Sequence, residues 1–188
     1  MKQMNLYELP CKLRINDHDY SIRTDYRDIL KIIAALNDPD LDEESKIYVL
    51  LSILYTDTVA SSDVEEAIRV GFSFISAGQE DDGKPHPRLM DWEQDAHMII
   101  PAINRVAGKE IRAEKYIHWW TFVGYYMEIG EGTFSTVVGI RQKKLKGKKL
   151  EKHEQEFYRN NREIVDLKVK QSTEERDALN ALIGWTEE

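Results

Sequence analysis

The amino-acid sequence predicts a mainly α protein, a multi-helix domain with an N-terminal β-hairpin packed on it. Near the start, apolar residues alternate with polar ones, which is typical of half-buried strands. From Asp25 onward, apolar residues instead recur at intervals of three and four, which is typical of amphipathic helices. A charged fraction of 32% against a hydrophobic fraction of 41% fits helices with well-solvated outer faces.

The predicted hairpin lies within residues 12–23. Leu13, Ile15, Tyr20 and Ile22 alternate with polar side chains, and turn-forming residues occupy 16–19 between them. Two strands alone are marginally stable in water, so we expect helices to cover one face of this hairpin.

Three predicted helices complete an N-terminal segment, residues 1–78. Asp25 and Asp42 each precede an apolar run at helical spacing, which predicts that they cap the first two helices. The third helix is predicted to begin at a capping box, Ser62–Glu65, and to end at Gly78.

Residues 79–90 form the clearest break in the sequence. This acidic, proline-containing stretch predicts a solvated loop and is the best candidate for a boundary or hinge. After it, residues 91–170 are predicted to form a helical subdomain. Residues 171–188 are predicted to form a C-terminal helix that begins with the capping box Ser172–Glu175. We expect one compact domain overall, because 188 residues fit that size.

Within residues 91–170, three predicted helices lie before and after a central aromatic helix. Asp91–Gln94 is predicted to open a helix that contains Pro101, which removes a backbone donor. A short sixth helix is predicted to end at Ile140, and one seventh helix is predicted to contain both Phe157 and Val165.

The central element is an aromatic helix, predicted at about residues 113–129. It is apolar nearly all round, so it must be covered on most sides. Core packing is the commonest reason for such a composition, but tryptophan and tyrosine are also enriched at the centres of interfaces. Both uses remain open here, and the candidates for core plus partner surface are Trp92, Trp119, Trp120, Phe122, Tyr125 and Tyr126.

A basic stretch follows the aromatic helix. Seven cationic residues in a dozen positions would suit phosphate contacts, with aromatic residues nearby for stacking. The formal net charge of −8 argues against a general nucleic-acid binder. The favoured explanation is a solvated helix end and loop, or a docking patch for the acidic remainder of a second copy in a homo-oligomer, and nucleic-acid contact is the lesser alternative. Its candidate surface residues are Arg141, Lys143, Lys144, Lys146, Lys148 and Lys149.

The sequence predicts no metal, no cofactor and no enzymatic activity. Asp91, Glu93, His97 and His118 are near one another in sequence, but they lack the Glu-x-x-His spacing on paired helices of bundle metal sites. Cys11 has no partner for a catalytic dyad or a disulfide. No phosphate loop or nucleophile elbow occurs. Without a signal-peptide pattern or a membrane-length apolar run, we expect a reducing cytoplasm and no membrane contact.

The order of three motif groups resembles a family of small bacteriophage proteins named after gene product fifteen. Paired tryptophans after a D-aromatic-E-x-D opening are the most specific feature, and together the motifs extend to about Val165. The matching stretches are Leu9–Pro10, Asp19–Ile22 and Thr24–Arg27; then Asp91–Asp95, Tyr116–Trp120 and Phe122; then Gly139–Arg141, the lysines, and Phe157–Tyr158.

The resemblance implies a non-enzymatic role in tail morphogenesis of long-tailed phages of Gram-positive bacteria. Such proteins are encoded where tail assembly chaperones lie, just ahead of the tape-measure protein. We therefore expect a tail assembly chaperone that binds the helical tape-measure protein in the bacterial host cytoplasm. A structural component of the virion, such as a tail completion or connector protein, is the alternative. A nucleic-acid-binding accessory protein is a second alternative.

Overall fold

The hairpin is the first element of the chain, whose computed structural model describes residues 7–79, 87–170 and 172–175. Strand β1 (Lys12–Ile15) pairs antiparallel with β2 (His18–Ser21). Leu13, Ile15 and Tyr20 point inward and are buried, so the predicted hairpin is confirmed. The turn is tighter than predicted, because the residues at 18 and 19 already pair with β1, and Asn16 adopts the left-handed conformation with φ 52°.

The first two helices form where the cap residues predict. Helix α1 (Tyr26–Leu36) follows Asp25, whose side chain accepts a hydrogen bond from the backbone of Arg27. Helix α2 (Glu43–Leu54) follows Asp42, which accepts from the backbone of Ser45. Each carboxylate satisfies one of the free N–H groups of its helix end.

The start of the third helix differs from the prediction. Helix α3 (Val64–Ile75) is preceded by one 3₁₀ turn (Ser61–Asp63), and no side chain caps it. Asp63 is buried instead and accepts hydrogen bonds from Asn16 and Tyr20 of the hairpin. The prediction of a capping box at Ser62–Glu65 is therefore wrong. The Asp63 carboxylate binds hydrogen-bond donors of the hairpin instead, and these bonds attach the hairpin to the start of α3.

Helix α4 (Ala96–Ala107) also begins later than predicted and contains Pro101 near its middle. The preceding residues form turns, in which Asp91 accepts from the backbone N–H groups of Glu93 and Gln94. The helix ends at Gly108 in the left-handed conformation (φ 68°), as glycine permits.

The aromatic helix is shorter than predicted. Helix α5 comprises Trp119–Met127, after a 3₁₀ turn (Ile111–Ala113). The residues just before it are extended, because Ile117 and His118 pair with the chain around Asp25. The side chain of His118 then caps the helix by accepting from the backbone N–H of Trp120.

The remaining helices are α6 (Thr133–Leu145), α7 (Lys152–Asn160) and α8 (Arg162–Val165). Helix α6 continues past its predicted end at Ile140, and the predicted single seventh helix is broken at Asn161. The Asn161 side chain donates to the Phe157 carbonyl, which offers the backbone an alternative to continuing the helix.

Buried apolar residues of the hairpin, of helices α1 to α6 and of α8 form one continuous core. None of the helices within the described ranges has the length and apolar character to cross a bilayer. The predicted acidic loop lies largely outside the described residues, as does the predicted C-terminal helix after Glu175. The capping box of that helix is present: the Ser172 hydroxyl accepts from the Glu175 backbone, and the Glu175 carboxylate accepts from that of Ser172.

Candidate functional site

The two adjacent tryptophans attach α5 to the end of α3. The indole N–H of Trp119 donates to the Ile75 carbonyl at 2.8 Å, and that of Trp120 donates to the Phe74 carbonyl at 3.0 Å. These are among the last carbonyls of α3, which have no partner within their own helix. The tryptophan pair therefore has a structural use that explains its position.

A stack of rings joins α5 to α1. Phe122 is fully buried and lies parallel to Tyr26, with ring centroids 4.4 Å apart, and Trp119 stacks on Phe122 at 5.7 Å. Among the predicted partner-binding residues, Trp119 and Phe122 are thus core residues. Trp120, Tyr125 and Tyr126 are half-buried and pack against the same core.

Trp92 is a predicted candidate that lies partly at the surface, at the edge of a groove. It contacts the aromatic core through Tyr126, with ring centroids 4.9 Å apart, and through Phe122 at 5.8 Å. It also lines an open groove of about 460 Å³, which we call the α1 groove. Because Trp92 packs against core rings and also lines the groove, its core contacts hold this part of the groove wall in place.

The α1 groove lies between α1 and the segment before α4. Its apolar lining is Leu30, Ile33, Ala34, Met90 and Trp92. The first three share one side of α1 that differs from the side of Ile29 and Ile32, which are fully buried. Helix α1 therefore has one fully buried apolar face and a second apolar face that packs against the edge of the core and stays partly exposed along the groove.

Charged residues border the α1 groove on both sides. Lys31 on α1 forms an ion pair with Asp28 at 3.0 Å, and Lys170 pairs with Glu93 at 3.0 Å. Arg88 binds Asp91. The groove therefore combines an apolar floor with a rim of both charge signs, and the rim cations are Arg27, Lys31, Arg88 and Lys170.

Asp91 remains ionised at this rim. Burial alone would raise the pKa of its carboxyl, but hydrogen bonds from the backbone of Gln94 and from the Arg88 guanidinium lower the pKa below its usual range. The carboxylate thereby holds Arg88 beside the groove, where the guanidinium also donates to the carbonyl of Lys168.

The predicted metal candidates are not brought together. Asp91 and Glu93 lie on the groove rim, whereas the His97 ring contacts the carbonyl of Gln94. His118 lies between the Pro10 carbonyl and the Trp120 backbone, and burial lowers the pKa of its imidazole. Within the described residues, no three such ligands form a group that could hold a metal ion.

The basic stretch is divided by the fold. Arg141 lies inside the protein, bound to Asp95, and is not part of any surface patch. Lys143 pairs with Glu154 at 2.6 Å and Lys144 with Asp166 at 2.5 Å. Lys146, Lys148 and Lys149 are exposed after the end of α6.

Several groove residues were not singled out by the sequence patterns. Leu30 and Ile33 belong to the predicted apolar stripe of the first helix, Met90 is the last residue of the predicted loop, and Lys170 is the last residue of the predicted helical subdomain. One signal was available: apolar positions 29, 30, 32, 33 and 36 cover more than the width of one buried face.

The fold and the groove define a structural class: a mainly α protein with an N-terminal β-hairpin and an open, partly apolar groove along its first helix. A family model described as "Bacteriophage Gp15 protein" matches residues 6–167, most of the chain. This protein belongs to that family, a family of phage structural and morphogenesis proteins that is not known to be enzymatic. Searches of curated proteins and of solved structures found no match.

Proposed function

We propose that this protein is a tail assembly chaperone that binds helical segments of the phage tape-measure protein before the tail tube assembles. The α1 groove is the observation that supports this proposal most directly. It is open, has an apolar floor of five side chains, and is bordered by charges of both signs.

An amphipathic helix is the ligand that suits such a groove. Helices bind grooves of this type by placing apolar residues at positions i, i+3, i+4 and i+7 on the floor. The charged rim would then meet the polar flanks of the bound helix. A tape-measure protein is long and largely helical, so until the tube forms it exposes apolar stripes of this kind, which would otherwise aggregate.

The rest of the structure is consistent with a binding role. The rings behind the groove, from Trp92 to Tyr26, are tightly packed, so they present the floor on a rigid support. A preorganised site loses less entropy on binding than one that must first become ordered.

Co-expression with the tape-measure protein encoded by the same phage tests the proposal. The wild-type protein should co-purify with the tape-measure protein and keep it soluble. Ala34→Glu places a charge on the groove floor and should reduce the recovered complex at least about tenfold, the equivalent of about 1.4 kcal/mol. Tyr48→Glu is the matched control, because Tyr48 is 72% exposed on α2 and does not line the groove.

Circular dichroism of both variants would establish that each is folded. Equal recovery with wild-type protein and Ala34→Glu would contradict groove binding. Absence of any complex, together with stoichiometric protein in purified particles, would instead assign the chain to the virion as a structural component.

A further inference from the structure

We propose that the α1 groove has an internal ligand: residues 176–183 of this same chain, which bind the groove as a short helix when no client is present. The observations are the place where the described chain ends, the sequence that follows, and the charges on both sides. The binding of this segment to the groove does not depend on the proposed function. Its effect on the binding of a client protein does rest on that function.

The chain passes the groove just before it begins its last helix. Lys170 lines the groove and pairs there with Glu93 at 3.0 Å. Two residues later, Ser172 and Glu175 form the reciprocal hydrogen bonds of a capping box. The helix thus begins at Thr173, next to the groove.

The start of this helix is attached to the far end of α1. The backbone N–H of Thr173 donates to Asp40 at 2.6 Å, and the Thr173 hydroxyl donates to the other carboxylate oxygen at 2.8 Å. Asp40 follows α1 by four residues, and Asn37, which lies between them, lines the groove. A carboxylate at this position also complements the positive end of a helix dipole.

This attachment fixes where the helix starts, and the proposal then requires one direction. A helix that begins beside Asp40 passes along α1 only if it runs antiparallel to it, first past Ala34 and Ile33 and then past Leu30. Eight residues of helix cover roughly 12 Å, and the eleven residues of α1 cover roughly 16 Å, so residues 176–183 fit within the length of α1.

The sequence after Glu175 has the composition that the groove requires. Ala178, Leu179, Leu182 and Ile183 recur at spacings of one, three and four, which places them along one side of a helix. Acidic residues flank this stripe, Asp177 before it and Glu187 and Glu188 after it. They would face a rim of both charge signs, whose four cations each already form an ion pair with a carboxylate, so the apolar stripe is the main basis of the fit.

The substitution Leu182→Asp tests the contact without altering the described part of the protein. Two readouts are measured on the full chain, in the absence of any client. Hydrogen–deuterium exchange should show residues 177–183 protected in the wild-type protein and exchanging at least about tenfold faster in Leu182→Asp. Ala34→Glu should have the same effect from the groove side, and Tyr48→Glu should have none.

The second readout reports on the groove itself. Hydroxyl-radical oxidation of Met90, which lines the floor, should increase severalfold in Leu182→Asp. Met127 is 57% exposed and does not line the groove, so its oxidation provides an internal reference that should not change.

Two results would overturn the proposal. The first is exchange of residues 177–183 at the rate of an unstructured peptide in the wild-type protein, with equal Met90 oxidation in the wild-type protein and Leu182→Asp. The second is protection that is lost on dilution, in step with dissociation of a dimer in sedimentation velocity, since the occupant would then be a second copy.

Client recovery is measured separately: if the segment competes, Leu182→Asp should bind the tape-measure protein more tightly than wild type. Unchanged recovery alongside increased Met90 oxidation would overturn the regulation while leaving the internal contact established.

Discussion

Arg141 of α6 forms a buried two-point ion pair with Asp95 at the start of α4. Its two terminal nitrogens lie 2.6 and 2.9 Å from the two carboxylate oxygens, and the side chains are 5% and 0% exposed. The same guanidinium donates to the carbonyls of Leu89, Ile164 and Val165. One side chain therefore joins α6 to α4, to α8, and to the segment that forms one wall of the α1 groove.

Removing either partner of this pair should be strongly destabilising. Arg141→Ala leaves the Asp95 carboxylate buried without its cation, and Asp95→Ala leaves the guanidinium in the same condition. We expect each substitution to lower the free energy of unfolding by about 3–5 kcal/mol in urea denaturation. Lys146→Ala, at an exposed site just after α6, should change it by less than about 0.5 kcal/mol. A loss below about 1 kcal/mol in Arg141→Ala would mean that the pair is hydrated in solution.

Arg141 also shows where sequence patterns stop being informative. The hairpin and the first two helices were predictable, because alternation and the caps at Asp25 and Asp42 are local signals. The position of Arg141 depends on Asp95, which is 46 residues away along the chain, and nothing local distinguishes it from the lysines that follow.

The start of α5 was unpredictable for the same reason. Residues before Trp119 have helical composition, yet they pair with the chain near Asp25, which is distant in sequence. The α1 groove was only partly predictable. Trp92 stood out as an aromatic residue, whereas Ala34 and Met90 acquire their role only from the side of α1 that the core leaves partly exposed.

A pair of glycine substitutions should have opposite effects. Gly71 in α3 packs on α2, and a β-carbon there would lie 3.0 Å from the Cδ2 atom of Leu54, which is fully buried and cannot easily move. Gly71→Ala should therefore destabilise the protein by about 1–3 kcal/mol through overpacking. Gly124 in α5 has open space around the same position, so Gly124→Ala should stabilise it by up to about 1 kcal/mol. Thermal unfolding would show midpoints that move in opposite directions, and a higher midpoint for Gly71→Ala would mean that α2 and α3 are more loosely packed than described.

The exposed lysines after α6 should not make this protein a nucleic-acid binder. Within the predicted patch, Arg141 is buried, and Lys143 and Lys144 form ion pairs. Lys146, Lys148 and Lys149 are exposed, on a chain with a formal net charge of −8. We expect the dissociation constant for duplex or single-stranded oligonucleotides at physiological salt to be weaker than about 10⁻⁴ M in fluorescence anisotropy. Tighter binding with a logarithmic salt slope of about −2.7, lost when the three lysines are replaced by glutamate, would restore the nucleic-acid alternative.

Asp63 should make the junction between hairpin and α3 sensitive to acid. Hydrogen bonds from Asn16 and then Tyr20 lower the pKa of its carboxyl below the ordinary value of 3.8, although burial opposes them. Because the pKa is lower in the folded state, the contribution of Asp63 to stability is fully present above about pH 4 and is lost as pH falls through the folded pKa. Wild-type protein should be more stable than Asp63→Asn at pH 7, and the difference between their urea midpoints should narrow steadily between pH 4 and pH 2.

Other carboxyl groups also titrate in this range, so the difference between the two proteins, and not the wild-type curve alone, isolates Asp63. Asp17→Asn is a control in the same hairpin, since the side chain of Asp17 is fully exposed. Its midpoint should follow that of the wild-type protein at every pH. A constant difference between the urea midpoints of wild-type protein and Asp63→Asn down to pH 2 would contradict this prediction. It would mean that the stabilising effect of Asp63 does not depend on the charge of its carboxylate.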